Sequence, residues 1–235
     1  MATYVLIPGA GSDSWYWHRV APLLRARGHD VVTPDLPCED ETAGLAEYTE
    51  VVLEAIGDRR DLVLVAQSMA GFTAPLVCAR VPVELMVLVA AMVPAPGESP
   101  GDWWANTGQP AARRELDVSE GRDPDAEFDP GVTFLHDLPE DVAAALMARP
   151  VLNQAEAPFR KPWPLPSWPQ VPTKFLLCRQ DRFFPADFQR RVVQERLGFA
   201  PDEMDGGHLP ALARPQELVE HLEAYRICNH AESGS

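Results

Sequence analysis

Ser68 stands where a serine can act as a nucleophile. Residues 62–72 read as an apolar strand, a turn in which Ala66 and Ala70 flank the serine, and the start of a helix. A strand–turn–helix this tight needs small residues at the two flanking positions, and it exposes the serine hydroxyl. The pattern predicts a nucleophile for acyl transfer, although a serine at this position also suits a plain helix N-cap.

A serine nucleophile needs a base, and the base needs an orienting carboxylate. Asp181 directly follows a predicted strand at residues 174–179, and His208 lies in a glycine-rich loop before the last predicted helix. Taken singly, the aspartate also fits a turn or helix cap, and the histidine a polar loop. The chain order Ser, Asp, His, with both partners after late strands, favours a triad of Ser68, His208 and Asp181.

Acyl transfer also requires backbone N–H groups that stabilise the oxyanion. We expect one from Met69, which follows the serine at a helix start, and one from Ala10, in the turn at residues 8–12 after the first strand. A phosphate-binding loop is the alternative reading of this turn. It is weakly supported, because a third glycine at the dinucleotide spacing and a G-K-[ST] motif are both absent.

The elements around these residues alternate between strands and helices, which indicates a parallel sheet with helices on both faces. Apolar runs predict strands at residues 4–8, 30–33, 62–66, 85–91 and 174–179, and a further short strand is predicted at residues 202–204. Amphipathic runs predict helices at residues 15–27, 45–56, 69–80, 186–197 and 215–227. The fold class is therefore α/β, with a mostly parallel central sheet.

An insert of different composition interrupts this alternation. Of the 24 prolines, 14 fall between Pro94 and Pro172. We expect residues 1–94 and 172–230 to form the core, residues 95–171 the insert, and residues 231–235 a loose tail. Within the insert one helix is predicted, at residues 139–149, and residues 158–172 are expected to be extended.

Composition limits the partners. There are 20 Lys and Arg against 35 Asp and Glu, a formal net charge of -15, and such a surface repels nucleic acids and anionic membranes. The sequence has neither an apolar run of about 20 residues nor a signal-peptide pattern, so a cytoplasmic location is expected. The four cysteines are far apart and are expected to be reduced packing residues, not metal ligands.

The sequence resembles the α/β-hydrolases, and within them the branch of plant methylesterases, hydroxynitrile lyases and small bacterial esterases. The resemblance covers nearly the whole chain, in residues 5–17, 62–94, 134–147, 175–189 and 206–222, and is closest at residues 178–189. It implies the α/β-hydrolase fold, a cap formed by the insert, and the same roles for Ser68, His208, Asp181, Ala10 and Met69.

The chain also departs from this branch. The first loop has Pro8-Gly9 where the family often has His-Gly, and Ala66 and Ala70 replace the two glycines around the serine. Hydroxynitrile lyases of the branch carry a threonine in the first loop and a lysine after the histidine, positions held here by Gly9 and Leu209. The cationic group that would stabilise cyanide is missing, which argues against lyase activity.

The resulting hypothesis is hydrolysis of a small, apolar or aromatic carboxylic ester through an acyl-enzyme, without metal or cofactor. Six aromatic residues are candidates for an apolar substrate pocket, although each also fits plain packing of the cap: Trp103, Trp104, Phe134, Trp163, Trp168 and Phe183. His18 and His136 are expected to be helix and cap residues.

Other functions on the same scaffold stay open. A lactonase, a thioesterase or a biosynthetic tailoring enzyme would keep the triad and change the reaction. A non-catalytic small-molecule receptor would belong to another class, and active-site labelling of Ser68 separates it from an enzyme. The expected partner is a small-molecule ester, and the protein is expected to be a monomer or a homodimer.

Overall fold

The computed structural model describes residues 1–233 and has a central sheet of six strands, all parallel, in the order β2-β1-β3-β4-β5-β6. The strands are β1 (Thr3–Ile7), β2 (Asp30–Val32), β3 (Leu62–Gln67), β4 (Leu85–Val89), β5 (Thr173–Cys178) and β6 (Asp202–Met204). Every residue of β1, β3 and β4 is buried, as expected for parallel strands covered on both faces. The predicted α/β class is confirmed.

Helices lie on both sides of the sheet. In chain order they are α1 (Ala21–Ala26), α2 (Leu45–Ile56), α3 (Ala74–Cys78), α4 (Pro100–Thr107), α5 (Gln109–Ser119), α6 (Pro130–Phe134), α7 (Glu140–Met147), α8 (Ala157–Arg160), α9 (Ala186–Leu197), α10 (Pro210–Ala213) and α11 (Pro215–Ser233). Successive strand residues point to opposite faces, so the sheet separates two apolar cores. Val5 and Leu64 pack with α2, α3 and α9, whereas Leu6 and Val63 pack with α1, α10 and α11.

Two predicted helices are wrong as continuous elements. Residues 15–27 form a 3-10 turn at Ser14–Trp17 and then α1, and residues 69–80 form a 3-10 turn at Ser68–Gly71 and then α3. Each α-helix carries a proline in its first turn, Pro22 in α1 and Pro75 in α3. A proline lacks the N–H that would bond to the residue four positions earlier, so a single helix cannot run through it.

The insert is more helical than predicted. Besides α7, which matches the predicted helix to within two residues at each end, residues 95–171 contain α4, α5, α6 and α8. Proline occupies a first-turn position in all four of these extra helices, where its missing N–H costs nothing. The high proline content of the insert therefore marks helix starts as well as irregular chain. Of the segment predicted to be extended, residues 158–172, the first three residues belong to α8 and residues 161–172 lack regular structure.

The last helix is longer than predicted. It runs from Pro215 through Ser233, so residues 231–233 are helical instead of a loose tail, and residues 234–235 lie outside the described residues. In residues 1–233, no helix combines the length and the apolar character needed to cross a membrane.

Candidate active site

Three loops at the carboxyl edge of the sheet bring the predicted triad together. Ser68 follows the last residue of β3, Asp181 lies three residues after β5, and His208 lies four residues after β6. In a parallel sheet the carboxyl ends of all strands meet at one edge, which is where ligands bind in open α/β folds. Residues 140 positions apart in sequence thereby come into contact.

Ser68 has a backbone conformation that residues other than glycine rarely adopt. Its φ is 53°, in the left-handed region, at the junction between β3 and the following 3-10 turn. Its carbonyl oxygen accepts a hydrogen bond from the Met92 N–H at 2.9 Å, which holds the turn against the segment after β4. Such strain persists only where the surrounding structure fixes it, and it is typical of functional positions.

In this turn the residue that lies against neighbouring backbone is Gly71, which was not among the residues predicted from the sequence. A β-carbon at residue 71 would collide with the carbonyl oxygen of Met92. The two positions where glycine was expected hold Ala66 and Ala70, both buried with room for their methyl groups. The sequence signal that could have indicated this close packing is the run of small residues that extends to Gly71.

Asp181 is buried and fully bonded. Its Oδ1 accepts the N–H groups of Phe183 at 2.8 Å and Phe184 at 2.9 Å, and its Oδ2 accepts from His208 Nδ1 at 2.8 Å. The carboxylate is 1% exposed, so these hydrogen bonds replace the solvation that it lost on folding. Residues 181–184 therefore form a turn that fixes the carboxylate toward the histidine.

His208 connects the aspartate to the serine. Because a carboxylate only accepts, Nδ1 must carry the proton in the bond to Asp181, and Nε2 is then the acceptor for the Ser68 hydroxyl at 3.0 Å. The imidazole is 3% exposed. This tautomer is the one that can take a proton from the serine, so the arrangement can activate Ser68 as a nucleophile.

Gln67 is a second residue that the sequence reasoning missed. Its side chain is buried, and Nε2 donates to the carbonyl oxygen of His208 at 3.1 Å. The residue before the serine thus ties β3 to the histidine loop. A buried amide in an otherwise apolar strand was the only available signal, and it does not identify the partner.

The turn after β1 lies against the serine turn, as the predicted oxyanion site requires. A β-carbon on Gly9 would collide with Gln67 Oε1 and would lie 2.9 Å from Ser68 Cβ. Within residues 1–233, neither the Ala10 nor the Met69 N–H has a hydrogen-bond partner. Both residues line a small cleft with Pro8, Gly9, Leu36, Cys38, Tyr48, Ala70 and Thr73. Two unpaired amides thus flank the serine.

Three of the six predicted pocket aromatics lie at or near the triad. The ring centroids of Phe134 and Phe183 lie 5.4 Å and 5.1 Å from that of His208, and both side chains are partly exposed. Trp104 packs on Phe183 at 5.6 Å. Phe184, which was not predicted, lies 5.0 Å from His208 but is fully buried.

The other three belong to the core, so their assignment to a substrate pocket is corrected. Trp103 and Trp163 are each 1% exposed, and their Nε1 atoms donate to the backbone oxygens of Val93 and Phe72. Trp168 packs against Trp163, with the ring centroids 6.1 Å apart, and donates to Thr173 Oγ1 at 3.2 Å. Large indole rings stabilise the insert where it packs on the sheet, since each buries much apolar area and bonds its single N–H.

In residues 1–233 no group of three or more His, Cys, Asp or Glu side chains is arranged to hold a metal ion. The site combines a strained serine, a neutral imidazole on a buried carboxylate, and two unpaired amides. This set can transfer an acyl group from an ester to water by way of the serine.

Comparisons with known proteins agree with this fold. Norfluorocurarine synthase 1 of Strychnos nux-vomica is 25% identical over 249 residues, which cover 94% of this chain and 93% of that protein. Methylesterase 3 of Arabidopsis thaliana is 29% identical over 249 residues, with 93% of each chain covered. The crystal structure of a pyrethroid hydrolase from Sphingobium faniae JZ-2 has a TM-score of 0.76 at 22% identity, covering 96% of this chain and 97% of that one.

The family model with the description alpha/beta hydrolase family matches residues 4–221. This match includes β1 from its second residue, the other five strands, and the Ser68, Asp181 and His208 loops. The resemblance to the plant methylesterase branch is confirmed by relatives that align over nearly the full chain. The protein belongs to the alpha/beta hydrolase family.

Proposed function

We propose that the protein is a carboxylic ester hydrolase in which Ser68, His208 and Asp181 form a catalytic triad. The observation that carries this proposal is the unbroken hydrogen-bonded line from Ser68 Oγ through the imidazole to Asp181, at 3.0 Å and 2.8 Å. The positive φ of Ser68 supports it, because a serine that served only as a helix cap would not need a strained backbone.

Each step of the proposed reaction uses groups of this chain. Ser68 Oγ attacks the ester carbonyl carbon while His208 Nε2 takes the hydroxyl proton. The N–H groups of Ala10 and Met69 donate to the oxyanion, a contribution of about 3 kcal/mol per donor in comparable sites. The imidazolium returns the proton to the leaving alkoxide, and Asp181 stabilises the charged ring. Water then attacks the acyl-enzyme with His208 as base.

The surroundings of the triad favour a small apolar or aromatic ester. Phe134 and Phe183 border the imidazole with exposed ring area, so an aromatic group could stack on either of them. The cleft beside Ala10 and Met69 is narrow and mainly apolar. The net charge of -15 disfavours polyanionic substrates. The name of the Arabidopsis relative, methylesterase 3, agrees with ester cleavage.

A second candidate is a biosynthetic tailoring reaction on the same site. It is favoured by the similarity to norfluorocurarine synthase 1, which covers 94% of the chain and is named for a product that it makes. A tailoring enzyme would use Ser68 and His208 to cyclise its substrate or to catalyse an elimination from it. Product analysis distinguishes the two reactions, because simple hydrolysis yields only an acid and an alcohol.

The test is hydrolysis of a panel of p-nitrophenyl and methyl esters, from aromatic to short aliphatic, by wild type, Ser68→Ala and His208→Ala. We expect each substitution to lower kcat by at least about a thousandfold, because triad residues act as a unit. Ser119→Ala, at an exposed serine on α5, is the matched control and should keep wild-type activity.

A fluorophosphonate probe gives a readout that does not depend on the choice of ester. It should label wild type and Ser119→Ala but not Ser68→Ala. A folded wild type that is not labelled, hydrolyses none of the panel and still binds aromatic ligands would contradict the hydrolase proposal and favour a receptor.

A further inference from the structure

A carboxylate of the insert forms a hydrogen bond to the loop that carries His208. Asp137 lies between α6 and α7, and its Oδ2 accepts the N–H of Gly207 at 2.6 Å. Gly207 immediately precedes the histidine and lies 70 residues from Asp137 in sequence. A hydrogen bond to a charged acceptor is about twice as strong as one between neutral groups. The peptide next to His208 is thus fixed by a side chain from outside the core.

The contact is close and shielded from solvent. A β-carbon on Gly207 would lie 2.7 Å from Asp137 Oδ1 and 2.9 Å from His136 Nε2, so any residue other than glycine would push this segment of the insert away. Within the described residues, Asp137 Oδ1 is buried and has no hydrogen-bond partner. A buried carboxylate with an unpaired oxygen costs folding free energy. The bond from Gly207 is the interaction that offsets this cost.

The core holds the rest of the histidine loop. Gln67 Nε2 donates to the carbonyl oxygen of His208 at 3.1 Å, and Gln180 exchanges two hydrogen bonds with Gly206, one through its side chain and one through its backbone N–H. Gln67 is the last residue of β3 and Gln180 follows β5, so both partners belong to the core and not to the insert. Asp137 adds a hydrogen bond from the insert, to the N–H of the residue directly before His208.

We propose that Asp137 is a positioning residue that holds His208 in register with Ser68 and Asp181. The inference deepens the proposed function and rests on it. On this proposal the insert not only covers the site but also positions the histidine that takes the proton from Ser68. A displaced His208 loop would lengthen the 3.0 Å bond from Ser68 Oγ to Nε2, while the substrate pocket at Phe134 and Phe183 would keep its lining.

The test compares Asp137→Ala with Asp137→Asn. The alanine removes the acceptor, and we expect kcat to fall by about 10- to 100-fold with KM changed less than about twofold, because small misplacements of catalytic groups have costs of this size. Asparagine keeps an oxygen that can accept from Gly207, so it should recover kcat to within about threefold of wild type. The rate of fluorophosphonate labelling at Ser68 should follow kcat in both variants.

Asp141→Ala and Asp141→Asn are the controls, because Asp141 is exposed in the first turn of α7 on the same insert. Both should keep wild-type kcat and labelling. If Asp137→Ala fails to fold, Asp137→Glu replaces it, since one added methylene moves the acceptor and should lower kcat while asparagine does not.

Normal kcat and labelling in a folded Asp137→Ala protein would overturn the positioning role and leave the proposed function intact. A loss in Asp137→Asn equal to that in Asp137→Ala would also overturn it, because the acceptor oxygen would then not be what matters. A wild type that the probe does not label would refute the proposed function itself, which separates the two failures.

Discussion

At the scale of single residues, the site depends on a serine held in a backbone conformation that costs energy. Ser68 has a φ of 53°, and the left-handed region costs a residue with a β-carbon about 1–2 kcal/mol. The turn is fixed by β3 on one side and by the Met92 N–H bond to the serine carbonyl on the other. The backbone conformation that exposes the Ser68 hydroxyl therefore lowers the stability of the folded protein.

This strain predicts that Ser68→Gly is more stable than Ser68→Ala, although neither has a nucleophile. Glycine relieves the positive φ but gains about 0.5–1 kcal/mol of unfolded-state entropy, which leaves a net advantage of about 0.5–1 kcal/mol. For a chain of this size the glycine variant should have a Tm higher by about 1–4 °C. Differential scanning calorimetry measures the difference.

The control pair is Ser119→Gly and Ser119→Ala, at the last residue of α5. There the backbone is helical, so the order should reverse and the alanine variant should be the more stable. If glycine gave no advantage over alanine at residue 68, the turn would not be strained.

At the scale of elements, a buried ion pair fastens the start of the insert to the core. Glu98 is two residues before α4, and Arg196 is on α9. Their side chains are 4% and 15% exposed and form two hydrogen bonds, at 2.5 Å and 2.9 Å. Asn106 donates to the same carboxylate at 2.9 Å. Because the pair is shielded, removing one partner leaves a buried charge without compensation.

We therefore expect Glu98→Ala to lower the free energy of unfolding by about 3–5 kcal/mol. The matched control is Glu50→Ala, which breaks the Glu50–Arg80 pair at 2.8 Å, where the side chains are 55% and 53% exposed. An exposed pair contributes at most about 1 kcal/mol. Urea unfolding of the two variants measures both values, and equal losses would contradict a special role for the buried pair.

The same pair predicts a dependence of stability on pH. Burial by itself would raise the pKa of Glu98, but the hydrogen bonds from Arg196 and Asn106 outweigh it and hold this pKa below its ordinary value. A lowered folded-state pKa stabilises the protein fully above the unfolded value of about 4.3, and this stabilisation is lost as the pH falls through the folded-state pKa. The stability difference between wild type and Glu98→Gln should be constant above about pH 5 and shrink below about pH 4.

At the scale of the whole molecule, the excess of acidic residues sets how the protein responds to salt. The formal net charge is -15 at pH 7, and the sequence pI is about 4.7. Like charges spread over a compact surface repel one another, and this repulsion is relieved on unfolding. Salt weakens it, because the Debye length falls from about 30 Å at 0.01 M to about 8 Å at 0.15 M.

At pH 7 the Tm should therefore rise when sodium chloride is increased over this range. Near the pI of about 4.7 the net charge is close to zero, and the rise should be much smaller. Thermal unfolding followed by circular dichroism at the two pH values measures both effects. A fall in Tm with salt at pH 7 would mean that screening of favourable ion pairs outweighs the relief of repulsion.

Some elements and site residues could be predicted from the amino-acid sequence, because the patterns that indicate them lie within a few neighbouring residues. Helices α2 and α9 have the predicted bounds, because their amphipathic periodicity is not interrupted, and the short strand β6 has its predicted bounds as well. Ser68, Asp181 and His208 could be named in advance since each follows a strand, and parallel strands bring their carboxyl ends together. The continuous helices predicted at residues 15–27 and 69–80 were wrong, because each range contains a proline in the first turn of α1 or α3.

Which of the predicted aromatic side chains line the site depends on tertiary packing and could not be read from the sequence. Trp103 and Trp163 could not be told from Phe134 and Phe183 by residue type, because core packing and pocket lining select the same aromatic groups. The role proposed for Asp137 depends on one bond across 70 residues of chain, for which no local pattern exists. Periodicity reports the side of an element that is buried, whereas a contact between distant loops is set by how the insert packs on the sheet.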